Sequence, residues 1–219
     1  MAGRGIVQHP SPNCGPRRDG LSPCLVVIHF TAMQTTQAAL ERLCDPAAEV
    51  SAHYLISGTG EIIQMVDEAA RAWHAGAGEW RGLRDINSRS IGIELDNRGD
   101  HPFAEPQMAA LETLLRGIMA RWGIGARGVI GHSDMAPGRK SDPGRRFDWA
   151  RLAWQGLAIP AGAPILVHSV TGQTFLDAAR KAGFTADVPL EVLLDATRAR
   201  FAPWREGPLC ADDYALGRS

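Results

Sequence analysis

The sequence predicts a mixed α/β fold followed by a small helical segment. Three observations carry this expectation. Short apolar runs of strand length alternate with stretches of helical periodicity. Residues 91–96 alternate with a period of two, whereas 105–122 repeat at about 3.6 residues. A segment with two prolines and two glycines, 156–164, then divides the chain into residues 1–158 and 165–219.

The elements follow in order. Residues 1–23, rich in Pro, Gly and Arg, predict an extended arm. Leu25-Val26-Val27-Ile28 is apolar without alternation, as in a strand covered on both faces, and it ends at His29. Residues 35–44 predict a helix, with Ala38, Leu40 and Leu43 among polar neighbours. The runs 52–56 and 62–66 flank Gly58-Thr59-Gly60, a hairpin pattern. A Gly-rich loop begins at Ala72 and runs to about residue 87; its part 75–82 is a candidate lid. In 91–96, Ile91, Ile93 and Leu95 share one face, and Gly92, Glu94 and Asp96 the other. The clearest helix is 105–122. Met108, Leu111, Leu115, Ile118 and Trp122 recur at helical spacing, Pro106 suits the first turn, and Gly123 ends it. Val129-Ile130 predicts a last short strand running into His132, and a helix around 147–155 closes the first domain. Beyond 164, residues 172–182 and 189–201 predict two amphipathic helices. Leu190, Leu194, Thr197 and Phe201 share a face of the second, and the tail 204–214 adds a third element. Some 55 residues are marginal as an independent unit, so docking onto the first domain is expected.

Composition excludes several classes. Lys and Arg number 23 against 24 Asp and Glu, so no global field draws the chain to nucleic acid or to an anionic membrane. No apolar run reaches membrane-spanning length. The N-terminal stretch lacks the hydrophobic core of a signal peptide, which predicts a cytoplasmic protein, or an exported one if a leader has been trimmed. Cys14, Cys24, Cys44 and Cys210 have no zinc spacing. They fit reduced thiols, with a Cys14–Cys24 bridge as the alternative.

The chemistry concentrates at strand ends. His29 and His132 each terminate an apolar run, and Asp142 lies ten residues past His132 in a turn-rich stretch. Two imidazoles and a carboxylate make a three-ligand zinc set that leaves a position open for water. Glu94, on the polar face of its strand, is the candidate proton carrier. Lys140 would offset charge on a tetrahedral intermediate. Each residue also has a plain structural reading. A strand-end histidine is often a satisfied core residue, Glu94 suits a solvated strand face, and Asp142 before Pro-Gly is a good turn former. Spacing does not choose between these readings.

The ordered segments VVIHFT, SAHYLISGTGEIIQMV, AWHAG, NSRSIGIELDN and GHSDMAPGRKSDPG resemble the zinc-dependent N-acetylmuramoyl-L-alanine amidases. That family is related to phage lysozyme-amidases and peptidoglycan recognition proteins. The resemblance covers residues 9–155 and is strongest to bacterial members that recycle 1,6-anhydro-muropeptides. It implies a central mixed sheet flanked by helices. It implies His29, His132 and Asp142 as zinc ligands, Glu94 as the catalytic acid/base, and Lys140 as the group that stabilises the substrate oxygen. Some phage members carry a Tyr where this chain has Ala52, which leaves proton transfer to Glu94. Trp73 and His74 fall in the loop that lines the sugar-peptide groove of relatives and are candidate substrate contacts. Arg139 is a candidate partner for stem-peptide carboxylates. His53 reads as packing or support for the site, and Asn87 and Arg89 as residues that order the loop. His9, His101 and His168 match nothing.

The implied activity is hydrolysis of the amide between N-acetylmuramic acid, in its 1,6-anhydro form, and L-alanine of the stem peptide. The implied partners are peptidoglycan fragments. Two alternatives stand beside it: a recognition protein that binds muropeptide without cleaving it, and a lytic amidase that attacks intact wall. The C-terminal segment resembles, faintly, the three-helix peptidoglycan-binding module of some of these amidases. Its motifs are degraded to Arg205-Glu206-Gly207-Pro208 and Asp212-Asp213, so a docking role is the expectation.

Overall fold

The structure, a computed structural model, describes residues 5–163 and 169–217. Pro164, His168 and the first residues of the arm lie outside the described residues. The strands are β1 Val7–Gln8, β2 Cys14–Gly15, β3 Leu25–Phe30, β4 Tyr54–Ile56, β5 Ile62–Gln64, β6 Arg71–Ala72, β7 Ser90–Leu95 and β8 Val129–Gly131. The helices are α1 Thr36–Cys44, α2 Ile86–Arg89, α3 Glu105–Trp122, α4 His132–Met135, α5 Trp149–Trp154, α6 Gly172–Ala182 and α7 Leu190–Phe201.

Six strands form one mixed sheet in the order β1-β5-β4-β7-β3-β8. Within it only the β4–β5 hairpin pairs antiparallel; the other neighbours run parallel. The arm does more than extend. Val7 and Gln8 pair in parallel with Ile63 and Gln64 and make the sheet edge, while β2 pairs antiparallel with β6. Cys14 and Cys24 are both free thiols. Among the described residues no helix is long and apolar enough to cross a membrane.

The two faces of β3 are covered by different parts of the chain. Val26 and Ile28, with Ile91, Ile93 and Leu95 of β7, pack against α3 and α5. Helix α3 carries Pro106 in its first turn and stops at Gly123, whose φ of 65° is a left-handed conformation that glycine adopts without strain. Its Leu111, Leu115 and Ile118 are fully buried, each contributing about 1.5–3 kcal/mol. The opposite face of β3 presents Leu25 and Val27. Beside Ile130 of β8, they pack against Phe175 of α6, Phe184, and Leu193 and Leu194 of α7. Further along this face Leu55 and Ile63 are covered by α1. The C-terminal segment therefore closes the second layer over the sheet.

Helix α7 departs from a simple amphipathic helix. From Ala196 to Phe201 every residue is buried, Arg198 and Arg200 included. Both guanidinium groups are paired: Arg198 with Asp213 at 2.7 Å, and Arg200 with Asp134 at 2.6 Å. Burial of an arginine is tolerable only with such a partner.

Candidate metal centre

Parallel pairing of β3 with β7 sets His29 directly beside Glu94. Paired residues on neighbouring strands point to the same face, so both side chains project where the sheet meets its loops. The third contributor arrives by a local device that the sequence does not announce. At the end of β8 the chain enters a single helical turn, α4, instead of a loop. Asp134 closes that turn by accepting the Gly131 N–H at 2.7 Å. His132 thereby points toward β3, and the Ser133 N–H donates to the Asp142 carbonyl at 2.9 Å, which folds the 136–142 segment back over the site.

Three donor atoms converge. His29 Nδ1 lies 2.9 Å from His132 Nδ1 and 2.9 Å from Asp142 Oδ2, and His132 Nδ1 lies 3.0 Å from the same oxygen. Among the described residues this is the one cluster of three or more metal-ligating side chains. The far nitrogen of His132, Nε2, sits 2.9 Å from the Ala75 carbonyl. A carbonyl only accepts, so a ring proton belongs on Nε2, the tautomer whose Nδ1 presents a lone pair. A bare nitrogen then faces a carboxylate oxygen and a second ring nitrogen. A cation between the three satisfies them all, and edges near 3 Å are close to the ~3.3 Å edge of a tetrahedron with bonds of about 2.0 Å. The residues fit zinc, a nitrogen- and oxygen-accepting ion that tolerates three protein ligands and an open position.

Electrostatics agree with this donor set. Burial, then the facing His132, pushes the His29 pKa down to about 4, so the imidazole is neutral at physiological pH. Burial opposes charge on Asp142, yet the two imidazoles outweigh it and hold the carboxyl well below its usual range. Glu94 goes the other way. Burial, then the neighbouring Asp142 carboxylate, raises it to about 8. Its Oε2 is buried and has no hydrogen-bond partner. An unpartnered carboxylate oxygen beside a metal-ligand set is available to take or give a proton.

These groups line one cleft of about 400 Å³, which also holds Trp73, His74, Arg139 and Lys140. Lys140 is brought over the cleft by a tight turn in which its N–H donates to the Ala136 carbonyl. A wider groove of about 1070 Å³ continues from Arg139 and Lys140 past Arg146 to Trp204, beside α7. Arg139 is exposed but not free. Its Nη2 donates to the carbonyls of Ala75 and Ala77. The 75–82 loop is further tied by Glu79 N–H to Met135 carbonyl at 2.8 Å, and by Trp80, which is buried against Phe184. These contacts anchor the loop to Met135 and Phe184. Asn87 holds the preceding stretch by accepting the N–H groups of His74 and Ala75. His53 supports β7, accepting the Gly92 N–H at 3.0 Å. Ser90, unnoticed in the sequence, contacts His74 Nε2 at 3.3 Å.

Known proteins resemble this chain in sequence and in fold. A family model described as N-acetylmuramoyl-L-alanine amidase matches residues 19–145. The N-acetylmuramoyl-L-alanine amidase AmiD of Escherichia coli is 38% identical over 174 residues, 70% of this chain; the chain spans 62% of that relative's length. The 1,6-anhydro-N-acetylmuramyl-L-alanine amidase AmpD of E. coli is 36% identical over 165 residues, 68% of this chain and 90% of the relative. The solved structure of E. coli AmiD with the substrate anhydro-N-acetylmuramic acid-L-Ala-D-gamma-Glu-L-Lys superimposes with a TM-score of 0.79. It shares 31% identity and covers 99% of this chain and 91% of that chain. The chain belongs to the N-acetylmuramoyl-L-alanine amidase family.

Proposed function

We propose that the chain is a zinc-dependent amidase that cleaves the amide between N-acetylmuramic acid and L-alanine in peptidoglycan fragments. The carrying observation is the unpartnered Glu94 carboxylate beside the converged His29, His132 and Asp142 donors. Those three residues would hold the metal. Bound zinc supplies a Lewis acid that makes water nucleophilic near neutral pH and polarises the amide carbonyl. Glu94 takes the proton from the attacking water and returns it to the departing L-alanine nitrogen. The Lys140 ammonium faces the carbonyl oxygen and stabilises its developing charge. Trp73 and the exposed part of Arg139 contact the sugar-peptide substrate from the cleft wall.

The 1,6-anhydro form of the sugar is the favoured substrate. The AmpD relative carries it in its name, and the AmiD structure was solved with it. A cytoplasmic role in wall recycling belongs to the same proposal. Helices α6 and α7 of the C-terminal segment act as a cap that completes the core; their shared packing with Leu25, Val27 and Ile130 supports this over a wall-binding module. Mass spectrometry of the zinc-loaded chain with anhydro-muramoyl tripeptide and its non-anhydro disaccharide counterpart tests the reading. Free tripeptide from the anhydro substrate alone is expected. Release from both would replace recycling by a broader wall amidase, as would rapid clearing of purified sacculi. No release from either would leave a recognition protein.

A further inference from the structure

Both zinc-ligand imidazoles have a second nitrogen, and both second nitrogens end on the same dipeptide. His132 Nε2 meets the Ala75 carbonyl at 2.9 Å. His29 Nε2 meets His74 Nδ1 at 3.0 Å, with the two rings edge to face. The second contact has a fixed direction. With Nδ1 of His29 turned to the metal donors, its ring proton sits on Nε2 and is donated to His74. His74 must accept on Nδ1, so its own proton sits on Nε2, which faces Ser90 Oγ at 3.3 Å. The Ser90 hydroxyl then donates to the Ile86 carbonyl at 2.6 Å, a group that can only accept. Every donor in the chain His29–His74–Ser90–Ile86 finds an acceptor in one orientation only.

The surroundings are built for this ring. A Cβ on Gly92 would lie 2.5 Å from His74 Cγ, so the imidazole occupies space that only glycine in β7 leaves open. Asn87 Oδ1 accepts both main-chain N–H groups of the dipeptide, at 3.1 and 2.8 Å. Both ring nitrogens of His74 are thereby spent on protein partners, which leaves no polar atom of this side chain for substrate.

We propose that His74 is a positioning residue of the metal centre: with the Ala75 carbonyl it fixes the tautomer and ring orientation of both histidine ligands, through a one-way hydrogen-bond chain that ends at Ser90 and Ile86. This rests on the metal reading above. Outer hydrogen-bond partners of ligand histidines govern metal affinity by about 10–100-fold. The direct test is zinc affinity by chelator competition for wild type, His74→Ala, His74→Asn and Ser90→Ala, with a long-range proton–nitrogen NMR experiment assigning the tautomers in the zinc-loaded wild type. His74→Ala should weaken zinc by about 10–100-fold. His74→Asn, whose amide oxygen can stand where Nδ1 stood, should recover part of that loss. Ser90→Ala, a milder change, should weaken zinc less than His74→Ala. Both His29 and His74 should carry their proton on Nε2. Equal affinity in all variants, no rescue by asparagine, or a proton on His74 Nδ1 would overturn the proposal while leaving the zinc site intact. A wild-type chain that binds no zinc would overturn the metal reading and this proposal with it.

Discussion

Replacing Arg200 by methionine probes how the C-terminal segment serves the centre. Arg200 reaches from α7 to Asp134, the carboxylate that closes the turn carrying His132. Both side chains are 1% exposed. The guanidinium also donates to the Val129 carbonyl at 3.1 Å and lies 4.0 Å over the Trp149 ring. Removing one partner of a buried pair costs about 3–5 kcal/mol, because the other charge is stranded. The lost stacking and the orphaned carbonyl overlap with that figure, so Arg200→Met should destabilise by about 4 kcal/mol. Asp134→Asn in the same background removes the stranded charge and keeps an oxygen for the Gly131 N–H. It should recover about half of the loss, a coupling that a double-mutant cycle measures.

The loss should also depend on pH. Burial raises the Asp134 pKa and Arg200 partly offsets it. Without Arg200 the folded-state value climbs further above the unfolded one. A carboxyl raised on folding contributes stability at low pH and loses it as pH rises through the folded value. The deficit of Arg200→Met should therefore be smaller at about pH 5 than at about pH 8, by up to ~1.4 kcal/mol for each further tenfold gain in the proton affinity of folded-state Asp134. Urea unfolding of the chelated protein, followed by fluorescence and circular dichroism together, measures both quantities. A deficit below about 1 kcal/mol, or one equal at both pH values, would refute the role of Arg200 as a strut.

Other outcomes follow from the same geometry. Glu94→Gln should lower kcat by about 10²–10⁴ while zinc affinity by chelator competition changes only slightly. In the metal-free protein Glu94 is raised to about 8, so its stabilising contribution is present at low pH and lost toward alkaline pH. Glu94→Gln should therefore stabilise the chelated chain at about pH 9 by roughly 2–4 kcal/mol, and scarcely at about pH 4, in the same urea assay. Lys140→Met should cost about 10²–10³ in kcat with little change in KM, read from steady-state peptide release. Gly92→Ala should destabilise by about 1–3 kcal/mol in thermal unfolding, because the added Cβ meets the His74 ring.

Much of this was legible in the chain. Alternation in 91–96 placed Glu94 opposite the core residues of β7, and the apolar run before His29 placed that imidazole at a strand end. The same run, apolar on both faces, required two covers, and α3 with α5 supplies only one. The need for α6 and α7 over Leu25 and Val27 was thus implicit, although their attachment through Arg200 and Asp134 was not. Arg200 looks like any solvent-facing arginine until its partner 66 residues away is known. The turn α4 depends on one side-chain-to-backbone bond, and β1 depends on pairing with a strand some 55 residues later. Such contacts leave no periodicity. Ser90 was invisible for the same reason: its role is defined by the second nitrogen of His74.

The central claim is that amide cleavage runs through one metal held by His29, His132 and Asp142, with Glu94 as the proton carrier. Titrating zinc into the stripped chain while following peptide release from anhydro-muramoyl tripeptide tests it most directly. Release should rise linearly to one equivalent of zinc and then level off, and His132→Ala should show no such rise. Full activity of the stripped chain without zinc, or a chain loaded with one equivalent that releases no peptide, would contradict it.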